Sequence, residues 1–255
     1  MQKNIIQALD FDGVICDSAV ETGIAGWKTA CKIWDDFATP LPPEQLIEKF
    51  RQVRPILETG YESILLMRLL NQGQSVKAIL NHFPQQKNQL LKENKLDIAD
   101  LKIIFAETRD HWINSDLENW IAMNPLFPGV KEKLRNLGNE NPWYIITTKQ
   151  ERFVQFILQA NRIELSEEQI FGLDRNMGKN AVLESLVNKH NDDVIFFVED
   201  RLPTLQAVQT NSQLSSVELF FALWGYNTKE DKAIAAKNQS FKLISLEDFL
   251  NARET

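Results

Sequence analysis

The sequence predicts an α/β fold, a parallel sheet core interrupted by an all-helical inserted segment. Three observations carry this reading. Short apolar runs recur along the chain, helical patterns alternate with them from about residue 128 onward, and a stretch of about a hundred residues in between shows helical spacing only.

The runs are IIQAL at 5–9, WYIIT at 143–147, VIFFV at 194–198, VELFFALW at 217–224 and FKLI at 241–244. Each is short and rich in β-branched or aromatic residues, which favours a buried strand over a helix. PGVKEKLRNLG at 128–138 opens on proline and closes on Gly138, as a helix often does, and ERFVQFILQAN, AVLESLVNKH and PTLQAVQT continue the alternation. Units of this kind build a parallel sheet covered on both faces. Between 18 and 124, ESILLMRLL, SVKAILNHF and DIADLKIIFAETRDHWI space their apolar residues as helices do. The expected organisation is a core made of 1–17 and 125–255, with a helical domain at 18–124 inserted into it and hinged near 17–20 and 122–127. No internal repeat or low-complexity segment is visible.

A chain of 255 residues buries a sizeable core without staples. Its net charge of −7 argues against a nucleic-acid partner held through phosphates, and leaves room only for a local basic pocket that takes a small anion. Cys16 and Cys31 are the only cysteines, and their spacing gives neither a disulfide framework nor a zinc ribbon, which fits a reducing cytoplasm. No basic leader followed by an apolar stretch and no apolar run of membrane-spanning length occurs, so neither secretion nor membrane insertion is expected. His82, His111 and His190 lie too far apart in sequence to announce a metal site.

The chemistry concentrates at the end of the first run, in DFDGVICDS at 10–18. In an extended strand Asp10 and Asp12 point to one face, at the carboxyl edge where open parallel sheets bind ligands, while Phe11 packs on the other. Gly13 permits a sharp turn or a close approach to a ligand. Taken alone, the pair reads as a solvated strand end, with Asp17 or Ser18 capping the next helix.

The neighbouring segments change that reading. DFDGVICDS resembles the first motif of the haloacid dehalogenase superfamily, in which one acid attacks phosphorus and a second, two residues later, handles protons. LFPGV at 126–130 is similar to the approach to the second motif, and IITTKQ at 145–150 to the motif itself, with Thr147 in the hydroxyl position and Thr148 as the alternative there. Lys179 in MGKNAVLESL matches the lysine of the third motif, Lys149 being its competitor. FFVEDR at 196–201 matches the fourth through Glu199 and Asp200. The resemblance spans nearly the whole chain and implies a Rossmann-like core with a helical cap inserted after motif one.

It also implies chemistry. A carboxylate attacking a phosphate dianion meets a repulsion of about 8 kcal/mol at ~4 Å with an effective dielectric of about 20. A Mg2+ ion with hard oxygen ligands offsets such a charge. By resemblance the ligands are Asp10, the backbone carbonyl of Asp12, and Asp200, with Glu199 direct or through water. Lys179 adds a positive charge, Thr147 and Thr148 are placed for the phosphoryl oxygens, and Asp12 acts as general acid and then general base. Thr204 stands where many members carry a further Asp, and Arg201 and Pro203 are bulkier than usual in that loop. Cys16 reads as a small buried residue.

The cap is where specificity is expected. EKFRQVRPILETGYE at 48–62 reads as a loop between helices, offering Arg51 or Arg54 to the remote end of a substrate, although solvated loop arginines are commoner. The six tryptophans are expected in packing roles. The expected activity is a Mg2+-dependent phosphatase acting on a small soluble phosphorylated metabolite, such as a phosphoglycolate-like or sugar phosphate. A phosphomutase or a binding module on the same scaffold is the alternative. Asp12 and the Glu199-Asp200 pair disfavour a carbon-halogen hydrolase. A Schiff-base phosphonatase would draw on Lys28 or Lys49, which carry no signature.

Overall fold

The computed structural model describes residues 4–140 and 142–252, with the backbone alone at 138–140. After β1 (Ile5–Leu9) come six helices, α1 (Ala19–Ile33), α2 (Glu44–Val53), α3 (Glu62–Asn71), α4 (Val76–Glu93), α5 (Ile98–Ser115) and α6 (Leu117–Ala122). The alternating part follows: α7 (Val130–Glu140), β2 (Trp143–Ile146), α8 (Glu151–Ala160), β3 (Ile170–Phe171), α9 (Lys179–Lys189), β4 (Val194–Glu199), α10 (Leu202–Gln209), β5 (Glu218–Ala222), α11 (Lys229–Ala235), β6 (Phe241–Ile244) and α12 (Leu246–Asn251). Ser18–Asn124 forms one compact unit and the remaining described residues another. Among the described residues no helix is long and apolar enough to cross a membrane.

The α/β unit is a six-stranded, wholly parallel sheet in the order β3-β2-β1-β4-β5-β6. Leu9 pairs with Ile145 on one side and Val198 on the other, so β1, β2 and β4 end at nearly the same level. The period-two pattern sends Ile6, Ala8, Tyr144, Ile146, Ile195 and Phe197 into a core shared with Val182, Leu183, Leu186, Leu202 and Leu205 of α9 and α10. The order of strands reverses between β1 and β4, the position where doubly wound sheets open a crevice at their carboxyl edge.

Several local expectations are corrected. β3 was not expected, because two residues at a sheet edge give no readable run. The helix placed at 128–138 begins at Val130 and runs past Gly138 to Glu140, and Pro128 precedes a turn at Gly129 with φ +82°. Ser18 occupies the N-cap position of α1 without a side-chain cap bond, and Asp17 Oδ1 accepts from the Tyr226 hydroxyl. The loop expected at 48–62 is helical through Val53, which puts exposed Arg51 on α2. Arg54 opens a short 3-10 turn, buried, with Nη1 3.4 Å from the carbonyl of Leu57.

The helical unit has its own core, including Trp27, Phe50, Ile64, Leu65, Leu66 and Met67. A buried polar knot ties α1 to α5 and α6. Glu21 is fully buried; its Oε1 accepts from Arg109 Nε at 2.8 Å and Trp120 Nε1 at 3.0 Å, and its Oε2 from Arg109 Nη2 at 2.7 Å. Removing one partner of such a pair strands a charge in the interior, at a cost of about 3–5 kcal/mol. Glu21→Ala is therefore expected to lower the urea midpoint markedly by circular dichroism. Asp36→Ala, which removes the exposed partner of Arg68, is expected to leave it near wild type. Equal midpoints for Glu21→Ala and wild type would show that apolar packing alone holds these helices.

Candidate active site

Three strand ends and one helix start build the site. β1 stops at Leu9, yet its pairing continues one step, because Asp10 N–H donates to the carbonyl of Val198 at 2.9 Å. The chain then turns tightly: Ile15 and Cys16 donate to the carbonyl of Phe11, and Gly13 to that of Cys16. The expected strand alternation thus gives way to a turn beyond Leu9, while Phe11 is fully buried as expected. Cys16 is buried inside this turn.

Gly13 makes the turn feasible twice over. Its φ of +105° is one that other residues avoid, and a Cβ there would lie 2.0 Å from Asp200 Oδ2. Gly225 closes the opposite side, since a Cβ on it would lie 2.3 Å from Asp200 Cβ. The Asp200 carboxylate therefore sits where two glycines leave room for it.

Lys179, the first residue of α9, joins the acids. Its Nζ lies 2.6 Å from Asp10 Oδ1 and 2.7 Å from Glu199 Oε2. A cation at a helix N-terminus opposes the helix dipole, so the two carboxylates are what hold it there. Glu199, fully buried, also takes the N–H groups of Asp200 and Arg201 on Oε1, at 3.1 and 3.0 Å. Burial pushes Asp10 up from 3.8 to about 7, against the pull of Lys179, with Glu199 and Asp12 adding to the rise. For Lys179 burial works against the charge, but Asp10 and Glu199 outweigh it and hold the amine above its ordinary value. For Glu199 the sense reverses: burial would raise it, and Lys179 holds it below the usual carboxylate range.

The end of β2 supplies a hydroxyl and a second amine. Thr147 is buried, donates its N–H to Phe171 and accepts the N–H of Lys149 on Oγ1 at 3.1 Å, while Thr148 is exposed. Lys149 is buried, with Nζ 2.8 Å from Asp12 Oδ1. The two lysines that compete in sequence thus reach different acids, Lys179 to Asp10 and Lys149 to Asp12. Arg201 precedes α10, and Pro203 and Thr204 lie in its first turn. Arg51 and Arg54 belong to the helical unit.

Sequence reasoning missed the loop after β5. Tyr226 N–H donates to Asp200 Oδ2, its hydroxyl donates to Asp17 Oδ1 at 2.8 Å, and Asn227 Nδ2 donates to the carbonyl of Asp200 at 3.1 Å. Trp224 Nε1 reaches the carbonyl of Val14 at 3.1 Å. The readable signal was WGYN directly after an apolar strand, a glycine and three hydrogen-bonding side chains at the same sheet edge.

Among the described residues Asp10, Glu199 and Asp200 can each direct one carboxylate oxygen to within 4.8 Å of the others. An all-oxygen, anionic donor set of this kind suits a hard divalent cation. The site can thus combine a buried carboxylate, a neighbouring acid, a hydroxyl and two amines around a place for a cation.

No family model matches the sequence, and no curated protein matches it. Solved structures match along almost the whole chain. A predicted phosphoglycolate phosphatase from Haemophilus somnus 129pt superposes with a TM-score of 0.61 at 16% identity, covering 98% of each chain. A predicted phosphatase from Clostridium acetobutylicum gives 0.58 at 14%, covering 98% of this chain and 97% of its own. A haloacid dehalogenase-like family hydrolase from Streptococcus pneumoniae gives 0.55 at 15%, covering 96% and 94%. The parallel sheet, the helical segment that follows its first strand and these whole-chain superpositions give one conclusion: the chain has the haloacid dehalogenase-like fold.

Proposed function

We propose that the protein is a Mg2+-dependent phosphatase that hydrolyses a small phosphate monoester through a phosphorylated Asp10. The observation that carries this reading is the buried cluster at the sheet edge, in which Lys179 bonds both Asp10 and Glu199 while Asp200 lies against Gly13 and Gly225. The whole-chain likeness to proteins described as phosphatases supports it.

In this reading Asp10, the carbonyl of Asp12 and Asp200 would hold the cation. Glu199 bonds Lys179 on one oxygen and backbone N–H groups on the other, so it positions Lys179, and it would meet the cation directly or through water. The cation, when bound, offsets negative charge between Asp10 and the phosphoryl oxygens. Asp10 attacks phosphorus; its new O–P bond forms as the ester P–O bond breaks, and Asp12 gives a proton to the departing oxygen. Asp12 then takes a proton from the water that attacks phosphorus, which releases phosphate and restores the Asp10 carboxylate. Thr147, oriented by the N–H of Lys149, donates its hydroxyl hydrogen to a phosphoryl oxygen. The substrate would be a phosphoglycolate-like or sugar phosphate, with the helical unit acting as a cap.

Asp10→Asn is expected to lower phosphate release from a panel of such esters by at least about a thousandfold, with chelator having the same effect on wild type. Activity that survives both treatments would remove the aspartyl-phosphate reading.

A pH dependence follows from Asp10. Its pKa is raised from 3.8 to about 7 without metal, so its contribution to stability is present below about 4 and is lost as pH rises to about 7. Cation binding needs the carboxylate, and below about 7 it must displace a proton. The rise in melting temperature on adding Mg2+ is therefore expected to be larger at pH 8 than at pH 6, and to be small at both in Asp10→Asn. A shift independent of pH in wild type would exclude Asp10 as the titrating ligand.

A further inference from the structure

We infer that Lys149 is the positioning residue for Asp12, an inference that rests on the phosphatase reading above. A lysine in a loop is normally solvated, its long chain keeping the amine in water. The side chain of Lys149 is instead 1% exposed, and its Nζ lies 2.8 Å from Oδ1 of Asp12, whose side chain is 16% exposed. Taking an ammonium out of water is costly unless a partner and hydrogen bonds compensate it. Asp12 supplies that compensation.

The backbone of Lys149 is fixed as firmly as its amine. Its N–H donates to Thr147 Oγ1 at 3.1 Å, and its carbonyl accepts from Leu173 N–H at 3.1 Å. Gly172 lies so close to that carbonyl that a Cβ on it would stand 2.4 Å away, and its own N–H is held by Glu151 Oε1 at 2.9 Å. The end of β2 is thereby fastened to the segment after β3, and the lysine leaves from a rigid base. A cation on a rigid base restricts the acid it bonds; Lys149 pins Asp12 at one oxygen and sets the direction from which its carboxyl exchanges a proton.

Each acid of the DFD segment thus has its own lysine. Lys179 attends the group that forms the bond to phosphorus, and Lys149 attends the group that moves protons. The two lysines differ in what their loss should do. Protonation of the departing oxygen matters most when that oxygen is strongly basic, and little when the leaving group is already stable as an anion. A defect in Asp12 therefore falls on alkyl phosphates and spares aryl phosphates in the first displacement.

The experiment is single-turnover release of the leaving alcohol, with enzyme in excess and Mg2+ present, from p-nitrophenyl phosphate and from the best alkyl ester of the panel. Wild type, Lys149→Met, Lys149→Arg and Asp12→Asn are compared. Lys149→Met is expected to slow the alkyl ester about a hundredfold and the aryl ester less than about tenfold, following Asp12→Asn, with little change in the concentration of ester giving half-maximal rate and partial recovery in Lys149→Arg. If Asp12→Asn discriminates between the esters and Lys149→Met slows both equally, or neither, Lys149 does not position Asp12. If Asp12→Asn itself fails to discriminate, or wild type releases neither alcohol, the general-acid or phosphatase reading falls and takes the inference with it. Lys149→Gln serves in place of the methionine variant should that one not fold.

Discussion

The ion pairs of Lys179 are the constraint on which the rest of the site depends. Asp10 and Glu199 are both buried at the ends of adjacent strands, and two ionised carboxylates cannot share so small a volume without a cation between them. Lys179 reaches both from the start of α9, at 2.6 and 2.7 Å. One residue thus allows β1 and β4 to end in acids at the same level. Even so, burial still lifts Asp10 to about 7, so the lysine offsets only part of the cost. Asp10, Glu199 and Asp200 can also bring one carboxylate oxygen each to within 4.8 Å of one another, a donor set that a hard cation would fit.

Space is the second constraint. Asp200 follows β4 directly and must turn its carboxylate toward β1, into a region bounded by two backbone segments. Gly13 and Gly225 lie there because any side chain on either would meet Asp200. The loop after β5 then completes the enclosure with the N–H of Tyr226 and the amide of Asn227, while the phenol of Tyr226 reaches Asp17. Asp17, the third acid of the DFDGVICDS segment, thus fastens the loop after β5 to the segment leaving the turn. Its N–H also bonds the carbonyl of Pro125, so the two chain segments at the boundary of the α/β unit are tied to each other.

Much of this was legible because short-range rules dominated. Buried parallel strands are continuous apolar runs, and five of the six strands stood out for that reason; β3, with two residues, depends on pairing with β2 and has no local signal. Helix ends were less readable. Gly138 does not stop α7, because glycine only weakens a helix by about 1 kcal/mol, and Ser18 stands at an N-cap without using its side chain. The acids, Thr147 and the two lysines were readable as residue types, but not their pairing. Lys149 and Lys179 are thirty positions apart and equivalent in sequence; only the register of β2 against β1, and the placement of α9 beside β4, assigns one to each acid. Arg51 and Arg54 illustrate the reverse case, in which a proline and a glycine read as a loop while the helix continues to Val53.

The strand order 3-2-1-4-5-6 is the same as that of sheets that bind dinucleotides, so topology alone does not decide the chemistry. What differs is the first turn. A dinucleotide fold places glycines there and lets a helix N-terminus face a pyrophosphate. Here the first turn presents Asp10 and Asp12, and the N-terminus of α9 brings Lys179 to Asp10. The same crevice, lined with acids rather than open amides, repels a phosphate unless cations are brought to it. In this chain two lysines stand against the acids, and Asp10, Glu199 and Asp200 form an oxygen donor set that a hard cation would fit, so the crevice carries placed charges where a dinucleotide fold uses open amides.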